Sequence, residues 1–237
     1  MSEVFTDVDQ TAVADGGLSG VMWDMDGTLL DSERMWDIAV RELSVHLGGT
    51  MTEDTRRKTI GASSPNALAI IFDSLGLEHH PDALAEAKDW MYSRVEELFA
   101  DVGWRPGAQR ALALVREHGL KTALVTNTER RLVDRALDRL GREYFDHAVC
   151  GDDVPEGKPH PGPYLRGAHL LGLHPSKCLA VEDSPTGAAA AEAAGCSVLV
   201  VPCEVPVPES PARVFRTTLD GLTGADLHDV WATGSRV

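Results

Sequence analysis

The chain has 237 residues, with 37 Asp and Glu against 22 Lys and Arg and a formal charge of −15. That length suits one large core, or a core with a smaller satellite, and the charge argues against nucleic acid, whose phosphates are bound by clustered Lys and Arg. No stretch approaches the ~20 uninterrupted apolar residues of a membrane span, and the polar, acidic start lacks a signal peptide's basic and apolar regions, so a cytoplasmic protein with no membrane partner is expected.

In chain order, residues 1–17 are polar and small and are expected to form a flexible tail. An apolar strand is expected from about Leu18 to Asp24, ending abruptly in Asp24-Met-Asp26-Gly27-Thr28. Side chains alternate along a strand, so Asp24 and Asp26 point the same way, and Gly27 lets the backbone turn with its amides facing a ligand such as a phosphoryl group. A calcium loop of the EF-hand kind is excluded, because it needs glycine sixth and glutamate twelfth. Counted from Asp24, glycine comes fourth and Met35 twelfth.

The interval 33–102 has no convincing strand. It carries amphipathic helical stretches at Trp36 to Leu47, Asn66 to Leu75 and Pro81 to Phe99, separated by Gly48-Gly49, the Gly61 to Pro65 segment and His79-His80-Pro81. An inserted helical unit that leaves just after the acid pair and returns near Gly103 to Pro106 can hang over the site as a lid. Strands are then expected at Lys121 to Thr126, His147 to Gly151, Cys178 to Glu182 and Ser197 to Val201, apolar on both faces as buried parallel strands are. Helices are expected between and beside them at Gly107 to His118, Glu129 to Leu140, Gly162 to Leu171 and Thr186 to Ala194. The reading is an α/β fold: a doubly wound, Rossmann-like parallel-sheet core over 18–32 and 103–237, with an all-helical cap domain inserted over 33–102. In such sheets ligands lie at the carboxyl ends of the strands. Cys150, Cys178, Cys196 and Cys203 have no C-x-x-C spacing and sit mostly in Val, Leu and Ala runs, which points to buried reduced thiols.

Three more strand ends carry polar groups. Val125-Thr126-Asn127-Thr128 offers a hydroxyl and turn amides, Glu156-Gly157-Lys158-Pro159 pins a lysine in a loop, and Glu182-Asp183-Ser184-Pro185 places two acids before a helix. Each alone is an ordinary capped turn or a surface lysine. Gathered at one sheet edge they share one chemistry. Asp24 acts as nucleophile on phosphorus and Asp26 exchanges a proton with the leaving and entering oxygens. Thr126 hydrogen-bonds a phosphoryl oxygen, Lys158 neutralises charge, and Asp183 with Asp24 holds magnesium. Without metal and lysine a carboxylate could not approach a phosphate in a low-dielectric pocket.

These four segments, together with Gly187, resemble in order the motifs of the haloacid dehalogenase superfamily of aspartate-nucleophile phosphotransferases. The subgroup is the one with a helical cap between the first and second motifs, which includes phosphatases and β-phosphoglucomutase-like enzymes. The resemblance covers about Gly20 to Trp231. It implies an aspartyl-phosphate on Asp24, Asp26 as acid then base, and a magnesium site completed by the Asp26 carbonyl and the Asp183 carboxylate, with Glu182 touching the metal directly or through water. Asp26 excludes the dehalogenase and phosphonate-cleaving members, which lack that acid. The expected activity is hydrolysis of a small phosphorylated metabolite by a monomer or weak dimer. The alternatives are a sugar-phosphate mutase and a phosphate-binding protein without turnover. A mutase would need an arginine for the phosphate that is not transferred, and Ser64 stands where the cap would supply it, although Arg56 and Arg57 lie close by. Substrate selection is expected from Arg34, Trp36, Arg56, Arg57, Ser63, Ser64, Asn66 or their neighbours.

Overall fold

The structure, a computed structural model, describes residues 17–234, so the expected tail lies, but for Gly17, outside the described residues. In chain order, β1 (Gly20–Trp23) is followed by the two-residue strand β2 (Leu30–Asp31), the helices α1 (Glu33–His46), α2 (Glu53–Thr59), α3 (Ser64–Leu75) and α4 (Pro81–Leu98), and the short strand β3 (Gly103–Trp104). Strand and helix then alternate through α5 (Ala108–Glu117), β4 (Lys121–Val125), α6 (Arg130–Leu140), β5 (His147–Val149), α7 (Gly162–Leu171), β6 (Cys178–Glu182), α8 (Pro185–Ala193) and β7 (Ser197–Val200). The described chain closes with β8 (Arg213–Phe215) and α9 (Gly224–Gly234).

Six strands form one parallel sheet in the order β5-β4-β1-β6-β7-β8. Because β1 is central, the order of connection reverses on either side of it. Ligands of doubly wound folds bind at such a reversal, beyond the carboxyl ends of the strands. Strand alternation divides the core in two. Val21, Trp23, Leu124, Leu179, Val181 and Leu199 face one side with residues of α5, α6 and α9, while Met22, Ala123, Val125, Ala180, Val198 and Val200 face the other with residues of α7 and α8. The alanine-rich α8 buries Ala188, Ala190 and Ala191 on the second side, where small residues allow close packing on the sheet.

The four helices inserted between β2 and β3 pack on one another, and α1, α3 and α4 share the first core through Met35, Leu43, Leu68, Ile71, Phe72 and Met91. β2 and β3 pair antiparallel, Leu30 with Trp104 and Asp31 with Gly103, so the two connections of the cap leave the core side by side. Trp104 is half-buried against the core at this joint. α2 escapes sequence reading because its seven residues, EDTRRKT, have no apolar periodicity. It is held instead by its N-cap, where Thr55 N donates to Thr52 Oγ1 at 3.1 Å. Three of the four cysteines are buried and free; Cys203, also free, is half-buried.

Candidate active site

β1 pairs with β6 one residue beyond its last strand position: the Asp24 amide donates to Val181 O at 3.0 Å. This fixes the carboxylate of Asp24 at the centre of the sheet's carboxyl edge, 7 % exposed. The chain then turns at Gly27, whose φ is +81°, and a Cβ there would sit 2.3 Å from Asp183 Oδ2. Both the backbone angle and the close approach of the carboxylate therefore demand glycine. Thr28 Oγ1 donates to Asp183 Oδ1 at 3.3 Å from the same turn.

Lys158 is fully buried rather than a surface residue of its loop. Its Nζ donates to Asp24 Oδ1 at 2.6 Å and to Glu182 Oε1 at 2.5 Å. Glu182 continues the parity of Cys178 and Ala180, which puts its carboxylate on the α7 side. There it accepts from the Tyr164 hydroxyl at 2.6 Å, and from Ser184 Oγ at 3.2 Å. A Cβ at Gly187 would lie 2.0 Å from the same carboxylate, so the first turn of α8 admits only glycine there. Burial opposes the charge on Lys158, yet the carboxylates of Asp24 and Glu182 hold its ammonium above the usual lysine range. Burial pushes the Asp24 carboxyl up to about 7, against the pull of Lys158. Asp183 is raised well above the carboxylate range by burial and then by Asp24 and Glu182.

Oxygens of Asp24, Glu182 and Asp183 lie within 4.8 Å of one another, all buried. A buried oxygen-only set, in which burial raises the Asp24 and Asp183 carboxyls, fits a hard divalent cation, which takes carboxylate and carbonyl ligands. Glu182 is at the same time committed to Lys158, Tyr164 and Ser184. The Asp26 side chain turns away from this set. Its Oδ1 accepts from Ser32 Oγ at 2.6 Å and from Trp36 Nε1 at 2.9 Å, and its Oδ2 accepts from Thr128 Oγ1 at 2.7 Å. Three side chains thus fix one carboxylate, and one of them, Trp36 of α1, belongs to the cap.

Thr126 Oγ1 accepts from the amide of Thr128 at 3.0 Å. Asn127 binds protein on every side-chain atom: Oδ1 accepts from Lys158 N at 2.8 Å, and Nδ2 donates to Lys158 O at 3.2 Å and to Gly61 O at 3.1 Å. The Gly61 carbonyl also accepts from Thr186 Oγ1 at 2.9 Å, so one cap carbonyl is clasped by the loop after β4 and the first turn of α8. Along the same joint Lys88 of α4 pairs with Glu129 at 3.0 Å, and Arg131 of α6 pairs with Asp89 and Glu96.

Between cap and sheet edge lies a cavity with about 700 Å³ of empty space, the open solvent at its mouth included. Asp24, Asp26, Thr126, Asn127, Lys158 and Asp183 form its floor, and Glu33, Trp36, Arg56, Ser64, Met91 and Tyr92 are among the cap residues over them. Of the sequence-based specificity candidates, Trp36, Arg56 and Ser64 line this cavity. Ser64 Oγ is hydrogen-bonded to Tyr92 Oη at 2.7 Å. Ser63 is buried as the N-cap of α3, beside Gly157. Arg34 and Arg57 are exposed, Arg57 pairing with Asp54. Ser32, Thr128, Tyr164 and Glu33 were not singled out by sequence. Ser32 and Thr128 adjoin motif residues, and Tyr164 follows from strand parity only once α7 is placed.

A haloacid dehalogenase-like hydrolase profile matches residues 18–195 of this chain. The chain belongs to that family. Among curated relatives, the phosphorylated carbohydrates phosphatase of Thermotoga maritima is 34 % identical over 183 residues, covering 75 % of this chain and 82 % of the relative. Hexitol phosphatase B of Escherichia coli is 31 % identical over 221 residues, covering 87 % and 95 %. The crystal structure of β-phosphoglucomutase from Clostridium difficile superposes with a TM-score of 0.79 at 18 % identity over 91 % of this chain and 97 % of that one, a likeness of fold. The chain is thus a hydrolase with the family's Rossmann-like core and helical cap. Among the described residues no helix is long and apolar enough to cross a membrane.

Proposed function

We propose that this protein is a magnesium-dependent phosphatase of small phosphomonoesters, of the sugar or polyol phosphate class, acting through an aspartyl-phosphate on Asp24. The observation that carries this reading is the Lys158 ammonium 2.6 Å from Asp24 Oδ1 at the floor of a capped cavity. A free Asp24 oxygen attacks phosphorus while the ester P–O bond breaks, and Asp26 gives its proton to the departing alkoxide. Water then attacks the phosphorus of the aspartyl-phosphate, Asp26 takes its proton, and inorganic phosphate leaves with Asp24 restored. The Thr128 amide occupies a lone pair of Thr126 Oγ1, which leaves the Thr126 O–H to donate to a phosphoryl oxygen. Lys158 offsets phosphoryl charge from the other side of Asp24. Asp24, the Asp26 carbonyl and Asp183 would hold magnesium, with Glu182 behind them anchoring Lys158. The metal would supply charge neutralisation between nucleophile and phosphate.

The names of the two curated relatives, a carbohydrate-phosphate and a hexitol-phosphate phosphatase, support this substrate class. A mutase is disfavoured because Ser64 bonds Tyr92, Arg56 is paired with Glu33 and Asp37, and Arg57 is exposed. The site retains nucleophile and lysine, which disfavours an inert binder. Hydrolysis of p-nitrophenyl phosphate and of a panel of sugar and polyol phosphates, with magnesium and with chelator, tests the reading. No magnesium-stimulated release of phosphate from any of them would overturn it.

A further inference from the structure

The cavity wall opposite the Lys158 floor is built by the cap, and its one cation is already spoken for. Arg56 is 6 % exposed; its Nη2 donates to Glu33 Oε2 at 3.0 Å and to Glu33 O at 3.5 Å, and its Nε to Asp37 Oδ1 at 2.9 Å. Nη1 leans on Thr59 Oγ1 at 3.4 Å. Four of the five N–H donors of a guanidinium are thereby occupied, and two carboxylates face its single charge. The charged residues that line the cavity are Asp24, Asp26, Glu33 and Asp183 against Arg56 and Lys158. Four acids against two bases leave a formal excess of two negative charges, which one divalent cation at Asp24 and Asp183 would balance. A phosphoryl group would engage that cation and Lys158. Among the described residues lining the cavity, nothing positive and unpaired is left for a second anionic group on the substrate. The remaining wall, Val40, Ile60, Ala62, Ala67 and Met91, is apolar, with the Ser64 and Tyr92 hydroxyls among it.

We propose that the Glu33–Arg56 pair makes this cavity selective for phosphomonoesters whose leaving group is an uncharged, hydroxyl-bearing carbon chain, and that it rejects esters carrying a carboxylate or a second phosphate. The inference rests on the phosphatase reading above. Arg56 takes Oε2 of Glu33, and Oε1 accepts a hydroxyl of the leaving group. A substrate carboxylate at the same place meets a like charge at hydrogen-bond distance in a buried setting, which costs affinity. Asp37, half-exposed behind Arg56, divides its Oδ1 between Arg56 Nε and Arg41 Nε and so offsets the guanidinium only in part from the other side.

The test is kcat/KM for the wild-type enzyme, Glu33→Gln and Asp37→Asn, with magnesium, on matched pairs. Glycerol 3-phosphate and sorbitol 6-phosphate stand against 2-phosphoglycolate, 3-phosphoglycerate and fructose 1,6-bisphosphate, with p-nitrophenyl phosphate as the control for turnover. The wild type should prefer the uncharged group by about tenfold or more. Glu33→Gln should shift the ratio of anionic to uncharged substrates upward by about tenfold, chiefly through KM, because it frees the Arg56 charge while keeping a hydrogen-bonding side chain of the same size. Asp37→Asn, at a half-exposed position, should shift it in the same direction by less. Failure of the wild type to turn over any of these esters, p-nitrophenyl phosphate included, overturns the phosphatase reading and this inference with it. Turnover with equal or better efficiency on the anionic set, or a ratio unmoved in both folded variants, overturns this inference alone.

Discussion

Lys158→Met should destabilise the protein as well as disable it. The side chain is 2 % exposed and its ammonium sits between Asp24 at 2.6 Å and Glu182 at 2.5 Å, two carboxylates that are themselves buried. Methionine fills a similar volume, so the loss is electrostatic: removing one partner of a buried pair costs about 3–5 kcal/mol because the remaining charge is uncompensated. For a chain of this size each kcal/mol is about 2–4 °C in Tm, which gives a fall of roughly 6–20 °C. Adding Glu182→Gln to Lys158→Met should recover part of that fall, since only one carboxylate then lacks its cation, and the two substitutions should be far from additive. Calorimetric melts of the wild type, both single variants and the double variant, with chelator near neutral pH, make the comparison. A fall below about 2 °C, or a double variant that loses the sum of the singles, would refute the buried-pair argument.

Asp26→Asn should lower turnover of alkyl phosphates roughly 10²- to 10⁴-fold, the usual contribution of a general acid or base. The loss should be smaller with p-nitrophenyl phosphate, whose leaving group hardly needs a proton, and equal losses on both esters would contradict the assignment. Trp36→Phe removes one of the three donors that hold Asp26; it should lower kcat for alkyl esters more than for p-nitrophenyl phosphate, and unaltered kcat for both would remove Trp36 from that role. Activity should require magnesium, vanish with chelator and be inhibited by calcium, whose larger and looser coordination shell misplaces nucleophile and phosphorus. Survival of hydrolysis after exhaustive chelation would contradict the metal site. Burial pushes the thiols of Cys150 and Cys178 up to about 12, so at pH 8 only about 10⁻⁴ of each is thiolate. Neither should react with a disulfide reagent on the minute scale until the protein is unfolded, as counted by thiol release.

The main features of the core were legible because they are periodic. Buried strands such as GVMW and CLAVE read as apolar runs, the helices between them as amphipathic stretches, and polar groups stood out where those runs ended. What escaped lacks such a signal. β2 and β3 have two residues each. β8 is a three-residue edge strand carrying Arg213 and half exposed, as edge strands often are. α2 is a charged single stretch held by a cap and by the Arg56 ion pairs. At the site, sequence order supplied the four strand ends but not their cross-links. Asn127 reads as a phosphate neighbour, yet its side chain is occupied in joining the Lys158 loop to Gly61 of the cap. Lys158 reads as the cation of the site only through its company with the other strand ends, and its full burial follows from Glu182 and Tyr164, which meet it only when β6 and α7 are packed. Arg56 reads as an available cation, and its pairing with Glu33 spans 23 positions in the chain, beyond any local pattern.

The central claim is that Asp24 carries the phosphoryl group between ester and water. The most direct measurement mixes the magnesium-loaded enzyme with excess substrate, quenches in acid within a single turnover, and maps the protein by mass spectrometry. The account predicts one phosphoryl group on the peptide containing Asp24, lost on a chase with unlabelled buffer and absent from Asp24→Asn, which should be folded and inactive. An Asp24→Asn variant that hydrolyses substrate at near wild-type rate, or a phosphoryl group found on another residue at catalytically competent rate, would contradict it.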